Sequence, residues 1–344
     1  MQYDYVVYIG RFQLPTLAHK AMINKALEQG EKVIIVIGSN NATPSLRNPF
    51  TTSERQEMLL ACIEEKDHER IIFIPIEDSA YNFPAWVREI RYKVSNITED
   101  ESKIGLLGHV KDCTSYYLKH FPEYEPIFIG SLYEGLSSTD IRNTLYQGRD
   151  EWVDYVPEKV SKWILDWLYT KKNKPRYENL VSEYKFIREY KAQWKSAPYA
   201  PTFITTDSVV ICRGHILLIK RSGKLGNGKF ALPGGFLEPN ETILNGCIRE
   251  LNEETSINID SWLLQKSLID MKHFDDPVRD PRGRTITFAH FFKLDLTYLP
   301  KIEAADDAMK VSWFRLADLE DLKGRFFNDH YQIIKYFLNK EILI

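Results

Sequence analysis

GGFLEPNETILNGCIRELNEETSI, residues 234–257, sets Glu250, Glu253 and Glu254 within five residues of one another. Positions three and four apart are neighbours on a helix, so these carboxylates share a face and repel by about 0.2–0.5 kcal/mol per pair. A solvated acidic face would account for the fragment taken alone. Its setting is more specific. Five residues separate Gly235 from Glu241, and seven separate Glu241 from Arg249; then come Glu250, the apolar Leu251, Glu253 and Glu254.

That spacing, with LPGG (232–235) leading into it, resembles the Nudix box. Clustered carboxylates on a rigid helix form a hard-oxygen set for Mg²⁺ or Mn²⁺, whose charge cancels their repulsion. The resemblance implies Glu250 and Glu254 as metal ligands, with Glu253 and Glu241 completing or orienting the cluster. It gives Glu253 and Glu254 a catalytic role, Arg249 an orienting one, and Gly234 and Gly235 a backbone carbonyl close to the metal. Ser256 stands where the family pattern has glycine. A left-handed helix cap there costs a non-glycine residue on the order of 1 kcal/mol, so a looser helix end with its ligands intact is expected.

Around the box, Thr202–Cys212 and His215–Arg221 read as paired strands about an Arg213-Gly214 turn. Further strands are expected near Leu263–Asp270, Ile286–Leu294 and Lys310–Phe314, with a last helix over Asp329–Asn339. Few helices among hairpin-like strands imply an α+β domain, a mixed sheet carrying the acidic helix. Downstream, HFDDPVRDPRGRTI (273–286) brings Arg279, Arg282 and Arg284 into one loop, which reads either as a solvated loop or as an arginine fork for phosphate and ribose. RDPRGR resembles the matching segment of ADP-ribose pyrophosphatases, which implies ADP-ribose as substrate. Glu303, Asp306 and Asp307 are candidates for the general base, unranked.

The first half alternates short β-branched runs with helical ones. Strands are expected at Tyr3–Ile9, Lys32–Ile37, Ile71–Ile76, Ile104–Leu107 and Pro126–Ile129, with helices at Leu17–Gln29, Ser53–Glu65, Phe83–Ile97 and Trp152–Tyr169. Continuous apolar strands between helices imply an α/β domain, a parallel sheet covered on both faces. The polar stretch TKKNKPRYEN (170–179) marks the boundary, and Leu180–Trp194 reads as a connecting helix. The expected division is 1–172, a linker over 173–200, and 201–344.

GRFQLPTLAH (10–19) follows the first strand directly and runs into a helix, where phosphates are favoured. It resembles the GRFQ…(H/T)-x-G-H element of nucleotidylyltransferases, with Thr16 and His19 in the motif positions and Ala18 in place of glycine. LSSTDIR (136–142) resembles the same family's I-S-S-T-x-I-R, bringing hydroxyls to a helix N-terminus and Arg142 one turn on. The family implies a Rossmann-like fold in which Arg11, His19 and Arg142 steady the triphosphate of ATP. Gly10, Phe12, Gln13, Thr16, Ser39, Asn40, Ser137, Ser138 and Thr139 would contact substrate. RNPFTTSER (47–55), Asn82 with Trp86, and LGHVKD (107–112) resemble archaeal-type NMN adenylyltransferases. That adds Arg47, Asn82, Trp86, Gly108, His109, Lys111 and Asp112 to the substrate site, with Trp86 able to stack on a pyridinium.

At 344 residues the chain is too long for one ordinary core. A net charge of −3 gives no footprint for nucleic acid or an anionic membrane, and no stretch reaches eighteen apolar residues. Cys62, Cys113, Cys212 and Cys247 are scattered, as in a reduced, cytoplasmic protein. The N-terminus lacks the basic region of a signal peptide. Together the resemblances imply a bifunctional NMN adenylyltransferase and Nudix ADP-ribose pyrophosphatase using Mg²⁺ or Mn²⁺. Its partners would be ATP, NMN, NAD and ADP-ribose, and an oligomer is compatible. Three alternatives stay open: nicotinic acid mononucleotide at the first site, NADH or another diphosphate at the second, or a regulator that binds ADP-ribose without cleaving it.

Overall fold

The computed structural model describes residues 1–79, 81–108, 118–129, 137–304 and 308–342. The chain divides into two compact units, Met1–Val181 and Ser182–Ile344.

The first unit runs β1 (Tyr3–Gly10), α1 (Leu17–Gln29), β2 (Gly30–Ile37), α2 (Thr52–Ala61), β3 (Ile71–Pro75), α3 (Phe83–Ser95), β4 (Ile104–Gly108), β5 (Glu125–Phe128), α4 (Ser138–Tyr146) and α5 (Glu158–Tyr169). All five strands are parallel, in the order β3-β2-β1-β4-β5. Side chains alternate across them. Val6, Val33 and Ile35 join one apolar cluster with Ile23 and Met58, whereas Val7, Ile34 and Val36 join another with Val87 and Ile90 of α3. Burying each such side chain contributes about 1.5–3 kcal/mol, which is why these strands read as unbroken apolar runs. The strand order reverses between β1 and β4, so a crevice lies beyond their carboxyl ends at Gly10 and Gly108.

Two helices differ from expectation. The one expected over Trp152–Tyr169 is interrupted: Glu151–Tyr155 is a 3-10 turn, and α5 begins only after Pro157, whose ring fixes φ and removes a donor. The one expected over Ser53–Glu65 stops at Ala61, and Glu65–Arg70 turns as 3-10 helix. The polar run 170–179 is helical from its middle, because α6 spans Lys174–Ala192. Within the first unit Arg176 stacks on Trp167 and pairs with Glu54, while the Tyr177 hydroxyl donates to the Leu145 carbonyl at 2.8 Å.

The second unit continues with β6 (Thr202–Cys212), β7 (His215–Arg221), β8 (Phe230–Ala231), β9 (Gly234–Phe236), α7 (Ile243–Thr255), α8 (Ser261–Lys266), β10 (Leu268–Phe274), β11 (Arg284–Leu294), β12 (Ala308–Arg315), α9 (Leu319–Leu322) and α10 (His330–Ile342). Its sheet is mixed, ordered β10-β11-β6-β7-β12, with β8 on β7 and β9 on β6. Arg213 (φ 50°) and Gly214 (φ 69°) form the two-residue turn between β6 and β7, a twist suited to hairpins. Residues read as a strand from Leu263 instead form α8, and β10 starts at Leu268. A short apolar run carries no period long enough to separate helix from strand. Here the Leu263 and Leu264 amides both turn back to the Asp260 carbonyl, and Leu264 is fully buried. The apolar face of α7, formed by Cys247, Ile248 and Leu251, packs with Val210, Leu217 and Phe292. That packing fixes which way the acidic face points.

Candidate active sites

In the first unit the chain reverses sharply after β1. Phe12 holds φ at 50°, a strained value for a bulky residue, and a Cβ at Gly10 would meet its ring at 2.8 Å. Thr16 caps α1, and its backbone N–H donates to His19 Nδ1 at 3.0 Å. A backbone N–H can only donate, so Nδ1 accepts and the neutral ring carries its proton on Nε2. Phe12 packs edge-on against that imidazole with centroids 5.3 Å apart.

Arginines dominate this crevice. Arg55 is 1 % exposed and donates to the carbonyls of Arg11, Gly38 and Ser39 at 2.6, 2.6 and 3.0 Å, binding the ends of β1 and β2 together. Arg142, also buried, donates to the carbonyls of Gln13 and Leu46 and to Thr139 Oγ1. Burial pulls the pKa of Arg11 down to about 10, with Arg47 and Arg142 adding to the fall and Asp78 opposing it. Arg11 Nη1 is buried without a hydrogen-bond partner. A buried cation crowded by cations and short of an acceptor is a place that an oligophosphate would complete.

Several residues read as substrate contacts also hold the fold locally. The Gln13 amide clamps the Phe50 backbone at both ends, each bond 3.1 Å. Ser39 Oγ donates to Asp78 at 2.5 Å, and Asn40 Oδ1 accepts from Thr52 Oγ1 at 2.8 Å. Asn82 caps α3 and Ser137 caps α4, whose first residue is Ser138. Trp86 is half-buried and stacks on Phe83, centroids 5.6 Å apart. Arg47 is exposed, and Gly108 is buried at the end of β4. His109, Lys111 and Asp112 lie outside the described residues.

In the second unit Arg249 is the hub of the acidic helix. It contacts Glu241 twice, at 3.0 and 2.7 Å, Glu250 at 2.8 Å and Glu253 at 2.7 Å. These bonds, led by Glu241, hold its pKa above the ordinary value. Glu254 stands apart. It is 6 % exposed, and its Oε2 accepts the Gly234 amide at 2.9 Å. Burial pushes Glu254 up to about 8, with Glu250 and Asp207 adding and the Gly234 amide and Arg221 opposing. Burial also raises Glu250, against the pull of Arg249. The helix ends at Ser256 with φ 41°, so serine itself takes the left-handed cap.

A cavity of about 360 Å³ opens beside α7, and its wall includes Glu250, Glu253, Glu254, Arg249, Arg279 and Arg282. Glu241 is not in that wall and meets it through Arg249 and the Glu238 amide, which donates to Glu241 Oε1 at 2.8 Å. Of the loop arginines, Arg284 turns away to Asp275 and does not line the cavity. Arg279 is paired with Asp329 at 2.9 Å, and Arg282 with Asp280 at 2.7 Å while lying over the Phe236 ring. Glu303 is exposed and lies outside the wall, and Asp306 and Asp307 fall outside the described residues.

The donor set fits a hard divalent cation. Glu250 and Glu254 project from adjacent turns, and the Glu250 carboxylate sits where a Cβ at Gly235 would be only 2.5 Å away. At Gly234 a Cβ would meet the Thr206 carbonyl at 2.0 Å, so both glycines permit close approach. Among the described residues no three acidic, imidazole or thiol groups yet converge as a finished cage. Arg249 pairs with Glu241, Glu250 and Glu253 in this arrangement.

Comparison with known proteins finds a family match within each unit. Residues 7–144 match the cytidylyltransferase-like family and residues 202–337 the NUDIX domain. The nicotinamide/nicotinic acid mononucleotide adenylyltransferase of Acinetobacter baylyi is 38 % identical over 184 residues, 54 % of this chain and 95 % of that protein. The ADP-ribose pyrophosphatase of Methanocaldococcus jannaschii is 33 % identical over 163 residues, 47 % of this chain and 85 % of that one. A crystal structure of a bifunctional NMN adenylyltransferase/ADP-ribose pyrophosphatase from Francisella tularensis, complexed with AMP and a manganese ion, is 35 % identical with a TM-score of 0.92. The alignment covers 98 % of this chain and 99 % of that one. The chain belongs to the bifunctional NMN adenylyltransferase/ADP-ribose pyrophosphatase family.

Sequence reasoning passed over several residues at the sites of this family member. Arg55 lies inside the quoted RNPFTTSER run, yet only the fold shows it bonded to two strand ends. Asp207 interrupts an apolar strand, a signal that could have been used, and accepts from Thr287 Oγ1 at 2.5 Å. His330 Nδ1 accepts the Leu232 amide at 3.0 Å, and burial lowers its pKa, so the ring is neutral. Asp207, His330, Phe236 and Arg221 all line the cavity beside α7.

Proposed function

We propose that the family's two activities are divided between the two units. In the first, a phosphate oxygen of NMN attacks the α-phosphorus of ATP, the bond to the β-phosphate breaks, and NAD and pyrophosphate leave. Arg11 presents an unpartnered buried N–H to the phosphates, and the tautomer fixed by Thr16 makes His19 Nε2 a donor. Arg47 adds to the positive field, while Arg55 and Arg142 hold the loops that carry these donors. Such a site works by positioning and charge stabilisation rather than covalent chemistry.

In the second, ADP-ribose is hydrolysed at its diphosphate, water entering at one phosphorus and AMP and ribose 5-phosphate departing. Bound Mg²⁺ or Mn²⁺ would neutralise the diphosphate and activate that water. Glu250 and Glu254 would hold the ion, Arg249 orients Glu241 and Glu253 around them, and Phe236 with Arg282 forms a flat wall for the organic part. One observation carries this reading above the others: a single cavity lined by both glutamates and arginines, as a cation and an anionic substrate together require. Small nucleotides in the cytoplasm, not nucleic acid or membrane, are the partners it implies.

Purified full-length protein tests both halves. ATP with NMN should yield NAD and pyrophosphate, and ADP-ribose with Mn²⁺ should yield AMP, stopped by EDTA. Nicotinic acid mononucleotide and NADH belong in parallel assays, since the Acinetobacter relative is named for both mononucleotides. Turnover of NADH with no AMP from ADP-ribose would reverse the choice of second substrate.

A further inference from the structure

The cavity beside α7 is lined by four arginines, Arg221, Arg249, Arg279 and Arg282. Three are tied down by carboxylates: Arg249 by its three glutamates, Arg279 by Asp329 and Arg282 by Asp280. Arg221 is different. Among the described residues no carboxylate comes within ion-pair distance of it, and Nε donating to the Leu225 carbonyl at 3.3 Å is its one side-chain hydrogen bond. The guanidinium carbon lies over the Phe327 ring, 4.4 Å from the centroid, which anchors the group at the cavity wall. Both terminal nitrogens are therefore held in place without acceptors. Burial and the neighbouring Arg282 disfavour the charge, and Glu254, Asp280 and Asp207 offset this only through space.

We infer that Arg221 is a diphosphate-binding residue of the hydrolase site, its planar fork taking the phosphate oxygens of a nucleoside diphosphate sugar. The inference rests on the ADP-ribose reading above. Planarity, preset orientation and unfilled donors are what bidentate recognition of a phosphate requires. Arg279 and Arg282 cannot serve in the same way without giving up their aspartates, so they shape the wall instead. Arg221 would contact substrate in ground and transition states alike, so its loss should raise KM and leave kcat nearly unchanged.

The test uses full-length Arg221→Met, which keeps an apolar stem over Phe327, and Arg221→Lys, which keeps the charge but loses the fork. Charge-assisted bonds of this kind predict a KM for ADP-ribose about 10- to 100-fold higher in R221M, and a smaller rise in R221K. Calorimetric binding of ADP-ribose to the EDTA-treated proteins should weaken in the same order. The ligand-free melting temperature should not fall, because a cation unfavourably placed in the fold is removed. If R221M keeps the wild-type KM and metal-free affinity, the inference is wrong. If both variants lose melting temperature alike and R221K recovers no affinity, Arg221 is only a prop for Phe327. Absence of wild-type turnover and binding of ADP-ribose would instead overturn the reading of the site, and this inference with it.

Discussion

Replacing Glu254 with Gln should stabilise the metal-free protein at high pH while ending ADP-ribose hydrolysis. The carboxyl is 6 % exposed, and burial lifts its pKa from 4.5 to about 8. An acid whose folded pKa exceeds its unfolded one contributes its stability below the unfolded value, and that contribution is lost as pH rises through the folded value. Across this interval linkage removes up to ~5 kcal/mol, at about 1.36 kcal/mol for each pH step. Relaxation and water entry around a buried charge reduce this, so ~1.5 kcal/mol is a working figure. For a unit of this size that is about 3–6 °C in melting temperature. Glutamine keeps an oxygen for the Gly234 amide, so the bond at 2.9 Å need not be lost. Scanning calorimetry of both proteins in EDTA at pH 5, 7 and 9 measures the effect, following the transition that ADP-ribose shifts. The variant should match wild type at pH 5 and melt higher at pH 9. Mn²⁺ should then stabilise wild type and not the variant, reversing the order. A variant that melts lower than wild type at pH 9 without metal, or a gap independent of pH, would refute a destabilising buried carboxylate.

Three further outcomes follow from other residues. His19→Ala should lower adenylyl transfer about 100-fold or more by removing a positioned donor, with ADP-ribose hydrolysis untouched; equal loss of both activities would point to one shared site. Arg55→Met leaves the carbonyls of Arg11, Gly38 and Ser39 without their buried donor, and should destabilise the first unit by about 3–5 kcal/mol in denaturant titration. Ser256→Gly relieves a left-handed serine (φ 41°) and should add about 1 kcal/mol, read as a higher melting temperature with unchanged hydrolase kcat.

What could be read from the chain itself divides along a physical line. The alternating β-branched runs of the first half announced a parallel sheet because each strand is buried on both faces, and burial leaves its mark on every residue of the run. The glutamate spacing announced the acidic helix because i, i+3 and i+4 positions meet whatever surrounds them. Leu263 misled because a few apolar residues satisfy either period, and the choice fell to the Asp260 turn. Gln13, Ser39, Asn82 and Ser137 sit inside motifs that read as substrate contacts, and their hydrogen bonds also hold loops and helix ends. A motif is a record of holders and binders together, and only geometry separates them.

The residues that escaped notice share a different property: each draws its meaning from partners far along the chain. Asp207 meets Thr287 and His330; Arg55 meets Arg11 and Gly38; Arg221 meets Phe327. Both crevices also hold charge that the protein leaves unsettled. Arg11 has a buried N–H with no acceptor, and Glu254 has a proton it would surrender in water at neutral pH. A fold selected for stability alone would neutralise such groups, as Asp280 does for Arg282. Their imbalance is what phosphate can correct at the first site, and a cation with diphosphate at the second. Spacing brings these groups together in the sequence, but how far their charge is left unsettled depends on distance and burial, which only the fold supplies.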